Sequence, residues 1–101
     1  MYKQIVITKL GGPEVLNYQK YSLPKSIKDK EVRIRHTAIG LNYIDTYHRS
    51  GIYPLPSELP VCPGMEAAGE IIEIGNAVTN FRIGDRVAYA TPPIGAYCEI
   101  R

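Results

Sequence analysis

Glycine and proline interrupt this chain so often that most of it can form only short extended segments. There are 9 glycines and 8 prolines among 101 residues. They fall between runs of β-branched and apolar residues. Proline fixes φ and removes a backbone donor, so it ends helices and interior strands. Glycine admits the turns that join one strand to the next. Only one stretch, Ala38–Gly51 (AIGLNYIDTYHRSG), carries the signals of a helix. Asn42 is a good N-cap, Asp45 follows three residues later, and Gly51 can close the end in a left-handed conformation.

The remaining segments read as strands. Tyr2–Lys9 is β-branched and stops at Gly11-Gly12-Pro13. Val15–Tyr21 alternates imperfectly and reads as an edge strand. Glu31–Ile39 alternates well, with Val32, Ile34 and His36 on one face and Arg33, Arg35 and Thr37 on the other. Ile52–Pro63 holds four prolines and reads as a stiff, extended surface loop. Glu66–Ile74 reads as a strand bent or bulged at Gly69. Val87, Tyr89 and Thr91 share a face of a further strand that ends at Pro92-Pro93. Gly95–Arg101 begins a last strand that the chain end leaves open. Within the helix, Leu41, Ile44 and His48 share one face, and Tyr43 and Tyr47 stack at i, i+4. Many short strands, frequent turns and one short helix near residues 42–50 predict a mainly β fold, a small and partly open β-barrel.

Composition excludes several function classes. A formal net charge of +2 is too small to draw the chain to nucleic acid or an anionic membrane, and its basic residues form no run. No apolar run approaches the roughly 18 residues of a membrane span. Cys62 and Cys98 lie in no CxxC pair and no signal peptide precedes them, so a reduced, cytoplasmic protein is expected. Glycine-rich phosphate loops of the GxGxxG and GxxxxGK[ST] types are missing.

Gly11-Gly12-Pro13-Glu14-Val15-Leu16, Ala38–Gly51, Gly64–Gly69 and Gly84-Asp85-Arg86-Val87 stand here in one order and at matched spacing. Together they resemble the N-terminal domain of the zinc-free quinone oxidoreductases of the medium-chain dehydrogenase/reductase superfamily. The resemblance runs from Tyr2 to Arg101. The stretch NYIDTYHRSGIYP is the part specific to the quinone reductase branch. It implies a GroES-like fold for residues 1–101. It also implies hydride transfer from NADPH to a quinone or other conjugated carbonyl. In that family a Rossmann domain carries the NADPH phosphates, and a returning segment completes the first domain. Neither lies within these 101 residues, so the chain is expected to be a truncated gene product. It is also expected to bind NADPH weakly and to be inactive alone.

The resemblance also names residues. Asn42, Tyr47, Tyr53 and the Met65 backbone are expected to line the nicotinamide and acceptor pocket. For Asn42 the competing role is simply the N-cap, and one side chain can serve both. For the tyrosines the competing role is packing. Neither a catalytic side chain nor a metal is expected. Asn42 stands where zinc-dependent relatives carry a ligand Cys, and Met65 where they carry His. His36 and His48 have no partner spacing. Asp45 is read as a surface pair with Arg49 at i+4. Glu66 is read as a buried carboxylate in need of an arginine or backbone partner. An open edge at Ala96–Arg101, or the cleft face around Tyr47 and Tyr53, is expected to support a homodimer. The rival class is a non-enzymatic GroES-like barrel that binds a partner chain. The long mobile glycine-rich apolar loop of a co-chaperonin is not visible.

Overall fold

The computed structural model describes residues 1–101. Five strands and one α-helix form two antiparallel sheets. β1 (Tyr2–Ile7) pairs with β2 (Leu16–Tyr21), with Ile7 opposite Leu16. A 3-10 turn over Pro13–Val15 leads into β2, where the sequence had suggested that the strand already begins at Val15. The second sheet has the order β3 (Val32–Ile39), β4 (Ala67–Ile74) and β5 (Arg86–Tyr89). Thr91 lies beyond β5 and is exposed, so it does not extend the Val87 and Tyr89 face.

The bulge expected at Gly69 is present, but the extra residue sits on the opposite strand. His36 pairs with Gly69 and Ala38 with Ala68, which leaves Thr37 unpaired on β3. Gly69 is needed for the close approach: a Cβ there would lie 2.1 Å from the Arg35 carbonyl oxygen.

Residues 95–101 do not form the open edge strand that the sequence suggested. The segment makes single bridges at Cys98 and Ile100 and runs as a seam between the two sheets. On one side Ile5 N–H donates to Tyr97 O at 2.8 Å, and Glu99 N–H donates to Lys3 O at 3.1 Å. On the other, His36 N–H donates to Glu99 O at 2.8 Å, and Arg101 N–H donates to Ile34 O at 2.9 Å. Ala96, Cys98 and Ile100 alternate inward and are buried. This edge is therefore paired on both sides and offers no template for a dimer. The β-structure closes only in part, as an open barrel.

The core is thin: 14 of 101 residues are buried, so each large apolar side chain matters. Ile7 and Ile71 are wholly inaccessible, and Val15 and Ile100 nearly so.

The helix α1 (Tyr43–Ser50) forms where the capping residues place it. Asp45 accepts a hydrogen bond from the Asn42 N–H at 3.0 Å. Gly51, at φ 89°, ends the helix and donates to Tyr47 O at 3.0 Å. The Gly11 turn is tied to the last turn of α1. Gly11 N–H donates to Arg49 O at 3.0 Å, and Arg49 Nε donates to Gly11 O at 3.2 Å.

Candidate functional site

Of the face read from spacing, the helix buries His48, half-buries Ile44 and exposes Leu41, and it buries Asp45 as well. Leu41 and Tyr43 are strongly exposed, while Asp45 and His48 are buried. Tyr43 and Tyr47 do not stack. The ring partner of Tyr47 is Tyr53, edge-on at 5.4 Å between centroids. The turn after Gly51 folds the chain back, and Tyr53 N–H donates to Tyr47 O at 3.3 Å. Tyr53 also lies 6.5 Å from the His48 ring.

Asp45 forms no ion pair with Arg49; the one salt bridge in the structure joins Arg33 and Glu73 at 2.8 Å. Its carboxylate is 5% exposed and accepts from the Tyr97 hydroxyl at 2.5 Å as well as from Asn42 N–H. Its second oxygen, Oδ1, is buried without a partner, as is Nδ1 of His48. An unpaired buried acceptor is costly unless something supplies a donor. Asp45 also lines a cavity of about 560 Å³, together with Leu41, Asn42, Thr46 and Tyr97 among others. Tyr97 and Leu41 also line a second cavity of about 400 Å³ on the side of β1 and β3.

Asn42 thus lines a cavity and caps the helix. Tyr47 and Tyr53 sit together on a neighbouring face of α1, outside the lining of that cavity. Met65 is half-buried and lines neither cavity. Glu66 is half-buried rather than buried, and no arginine pairs with it. Its side chain lies against Gly40, where a Cβ would come within 2.0 Å of Oε1, and its carbonyl accepts from Gly40 N–H at 3.1 Å.

The sequence reading missed Tyr97 and a cluster around His36. Tyr97 is 52 positions from Asp45, and Cys98 is 62 positions from His36. Local spacing carries no signal for either pairing. The only hint was the good N-cap and Asp45 at its third position, which predicts a carboxylate turned inward to the helix end.

Burial, and then the hydrogen bond and charge of Asp45, hold the Tyr97 hydroxyl above its ordinary value. Tyr97→Phe is expected to cost about 1–3 kcal/mol, because Asp45 loses one of its two donors. The readout is a lower urea midpoint with an unchanged slope; an unchanged midpoint would show that the hydroxyl contributes nothing. There is a pH signature too. An unfolded tyrosine ionises near pH 10, while folded Tyr97 keeps its proton longer. Its contribution is present below pH 10 and is lost as pH rises through the folded value. The phenylalanine variant should therefore lose less stability than the wild type above pH 10.

No group of three or more His, Cys, Asp and Glu side chains is placed to hold a metal ion. No helix is long and apolar enough to cross a membrane.

Comparison with known proteins follows the same lines. The alcohol dehydrogenase GroES-like domain family matches residues 28–100. A quinone oxidoreductase of Pseudomonas aeruginosa is 55% identical over 100 residues, covering 99% of this chain and 30% of the relative. The crystal structure of a quinone oxidoreductase from Pseudomonas syringae superposes with a TM-score of 0.92 at 50% identity, covering 100% of this chain and 30% of the other. The Escherichia coli quinone oxidoreductase complexed with NADPH gives a TM-score of 0.91 at 43% identity, covering 98% of this chain and 30% of the other. The chain thus spans 30% of the length of these relatives. It belongs to the alcohol dehydrogenase GroES-like domain family, beside the quinone oxidoreductases of the medium-chain dehydrogenase/reductase superfamily.

Proposed function

We propose that this domain forms the acceptor-side wall of an NADPH-dependent quinone oxidoreductase, which transfers hydride to a quinone or another conjugated carbonyl. The observation that carries this reading is the match along the whole chain to a relative solved with NADPH.

The residues fit one end of that cofactor. Asn42, Asp45 and Thr46 line one cavity, and the Asn42 side-chain amide can both donate to and accept from a carboxamide. They do not fit the other end, because residues 1–101 contain no glycine-rich turn to hold a pyrophosphate. When bound, the dihydronicotinamide supplies the hydride. The protein's part is to bind, orient and exclude water. Asn42 orients an amide or carbonyl at the helix start. Tyr47 and Tyr53, packed edge-on outside that cavity, are the residues we assign to contact with the quinone ring, and the Met65 backbone to the rest of the wall. Tyr97, which lines both cavities, donates its hydroxyl hydrogen to Asp45 and so fixes the carboxylate.

With the Ala96–Arg101 edge paired, the face around Tyr47 and Tyr53 is the remaining route to a homodimer. Two unpaired cysteines suit the reducing cytoplasm.

The 101-residue protein alone is expected to show no NADPH–quinone turnover, since nothing in it anchors the phosphates. A steady-state assay of NADPH oxidation decides the point. Turnover in the ordinary enzyme range, about 1–1000 per second, would overturn the division of labour.

A further inference from the structure

Three side chains far apart in the sequence meet where the seam passes between the sheets. Cys98 is 7% exposed, with Sγ 4.0 Å from His36 Nδ1 and donating to Gly95 O at 3.2 Å. His36 is held at both ring nitrogens. Nδ1–H donates to the Cys98 carbonyl at 2.7 Å, and Nε2 accepts from the Tyr89 hydroxyl at 2.9 Å. Arg101 donates to the Tyr89 oxygen at 3.2 Å and lies 5.2 Å over its ring. Cys62 is half-buried and unpaired. It lines with Cys98, Tyr21 and Arg101 a cavity of about 440 Å³. The hydride transfer described above uses none of these groups.

We propose that Cys62 and Cys98 form a dithiol site that hydrogen peroxide oxidises to an intramolecular disulfide, with Cys98 as the attacking sulfur and Cys62 as the resolving one. The division of roles follows from the surroundings. Tyr97 N–H donates to Pro63 O at 3.0 Å and Ala96 N–H to Gly64 O at 3.3 Å, which sets Cys62 and Cys98 on facing antiparallel stretches. The neighbouring Cys62 thiol lowers the Cys98 value, burial opposes it, and His36 adds to the lowering. The Cys98 side chain, together with burial, raises Cys62. For His36, burial acts downward, but its bonds to Cys98 outweigh it and raise the imidazole. Cys98 is thus the thiol that ionises first, giving up the proton it otherwise donates to Gly95 O, while Cys62 keeps its own. The thiolate is the reactive form of cysteine.

The steps balance. Cys98 sulfur attacks one peroxide oxygen: an S–O bond forms, the O–O bond breaks, and the leaving hydroxide takes up, as water, the proton that Cys98 gave to solvent on ionising. Cys62 sulfur then attacks the Cys98 sulfenic sulfur. An S–S bond forms, the S–O bond breaks, and hydroxide leaves as water with the Cys62 proton. Two electrons pass from the sulfurs to one peroxide, which becomes two waters. A small thiol reverses the change by exchange. Peroxide is of the size of water and fits the shared cavity, whereas bulky reagents are kept from Cys98 by its burial.

The test is intact-mass and peptide-map analysis of the purified protein after a modest excess of hydrogen peroxide. The expected product is the monomer lighter by two hydrogen atoms, with Cys62 and Cys98 in one crosslinked peptide, restored by a dithiol reductant. Cys62→Ser should stop at a sulfenic acid on Cys98 that a cyclic 1,3-diketone traps. His36→Gln should slow the first step about tenfold or more. The proposal is overturned if the wild type gives only intermolecular disulfides, only oxygen additions, or no change. Cys62 oxidising as fast in Cys98→Ser as in the wild type would overturn it equally.

Discussion

A chain ending at Gly95 is expected to lose its cooperative unfolding transition altogether. Residues 96–101 are the only segment that hydrogen-bonds to both β1 and β3. Removing them deletes the bonds from Ile5, His36 and Ile34 as well as those to Lys3 and Pro63. Each bond is worth about 1 kcal/mol net, and each orphaned buried donor costs more. Ile100, 2% exposed, would be lost as well. Truncating a buried isoleucine to alanine alone costs about 2–5 kcal/mol. The sum rivals the entire stability of a small domain, about 5–15 kcal/mol. Circular dichroism against urea is the measurement. Ile100→Ala serves as the milder companion, expected to fold with a lowered midpoint. A truncated chain that still unfolds in one sharp step near the wild-type midpoint would show that the seam is dispensable.

The seam also marks the limit of what the sequence reveals. Alternation exposed β3, which has one face against the core, and a β-branched run exposed β1; both signals are local. The helix was legible for the same reason: Asn42, Asp45 and Gly51 act within a turn of one another. The pairing of residues 97–101 joins strands about sixty and ninety positions earlier, and nothing in a short window encodes it. Asp45 was misread because i+4 spacing to Arg49 is visible in the sequence, whereas the Tyr97 hydroxyl that buries it is not. The same distance hid the neighbourhood of His36, Cys62 and Cys98. Tyr47 and Tyr53 were named from family likeness, and the turn at Gly51 brings their rings together. Their edge-on contact took the place of the Tyr43–Tyr47 stack that helical spacing alone suggested.

The central functional claim is that this domain supplies the acceptor wall while another part of a longer enzyme holds the phosphates. The most direct measurement uses a chimera in which residues 1–101 replace the matching 100 residues of the Pseudomonas aeruginosa quinone oxidoreductase. The quantity is quinone-dependent NADPH oxidation, as kcat/KM. The account predicts activity within about tenfold of the parent. It predicts losses of about tenfold to a hundredfold for Asn42→Ala and for Tyr47→Ala, because both residues position the reacting groups. A chimera that folds and binds NADPH yet oxidises it no faster with quinone than without would contradict the account.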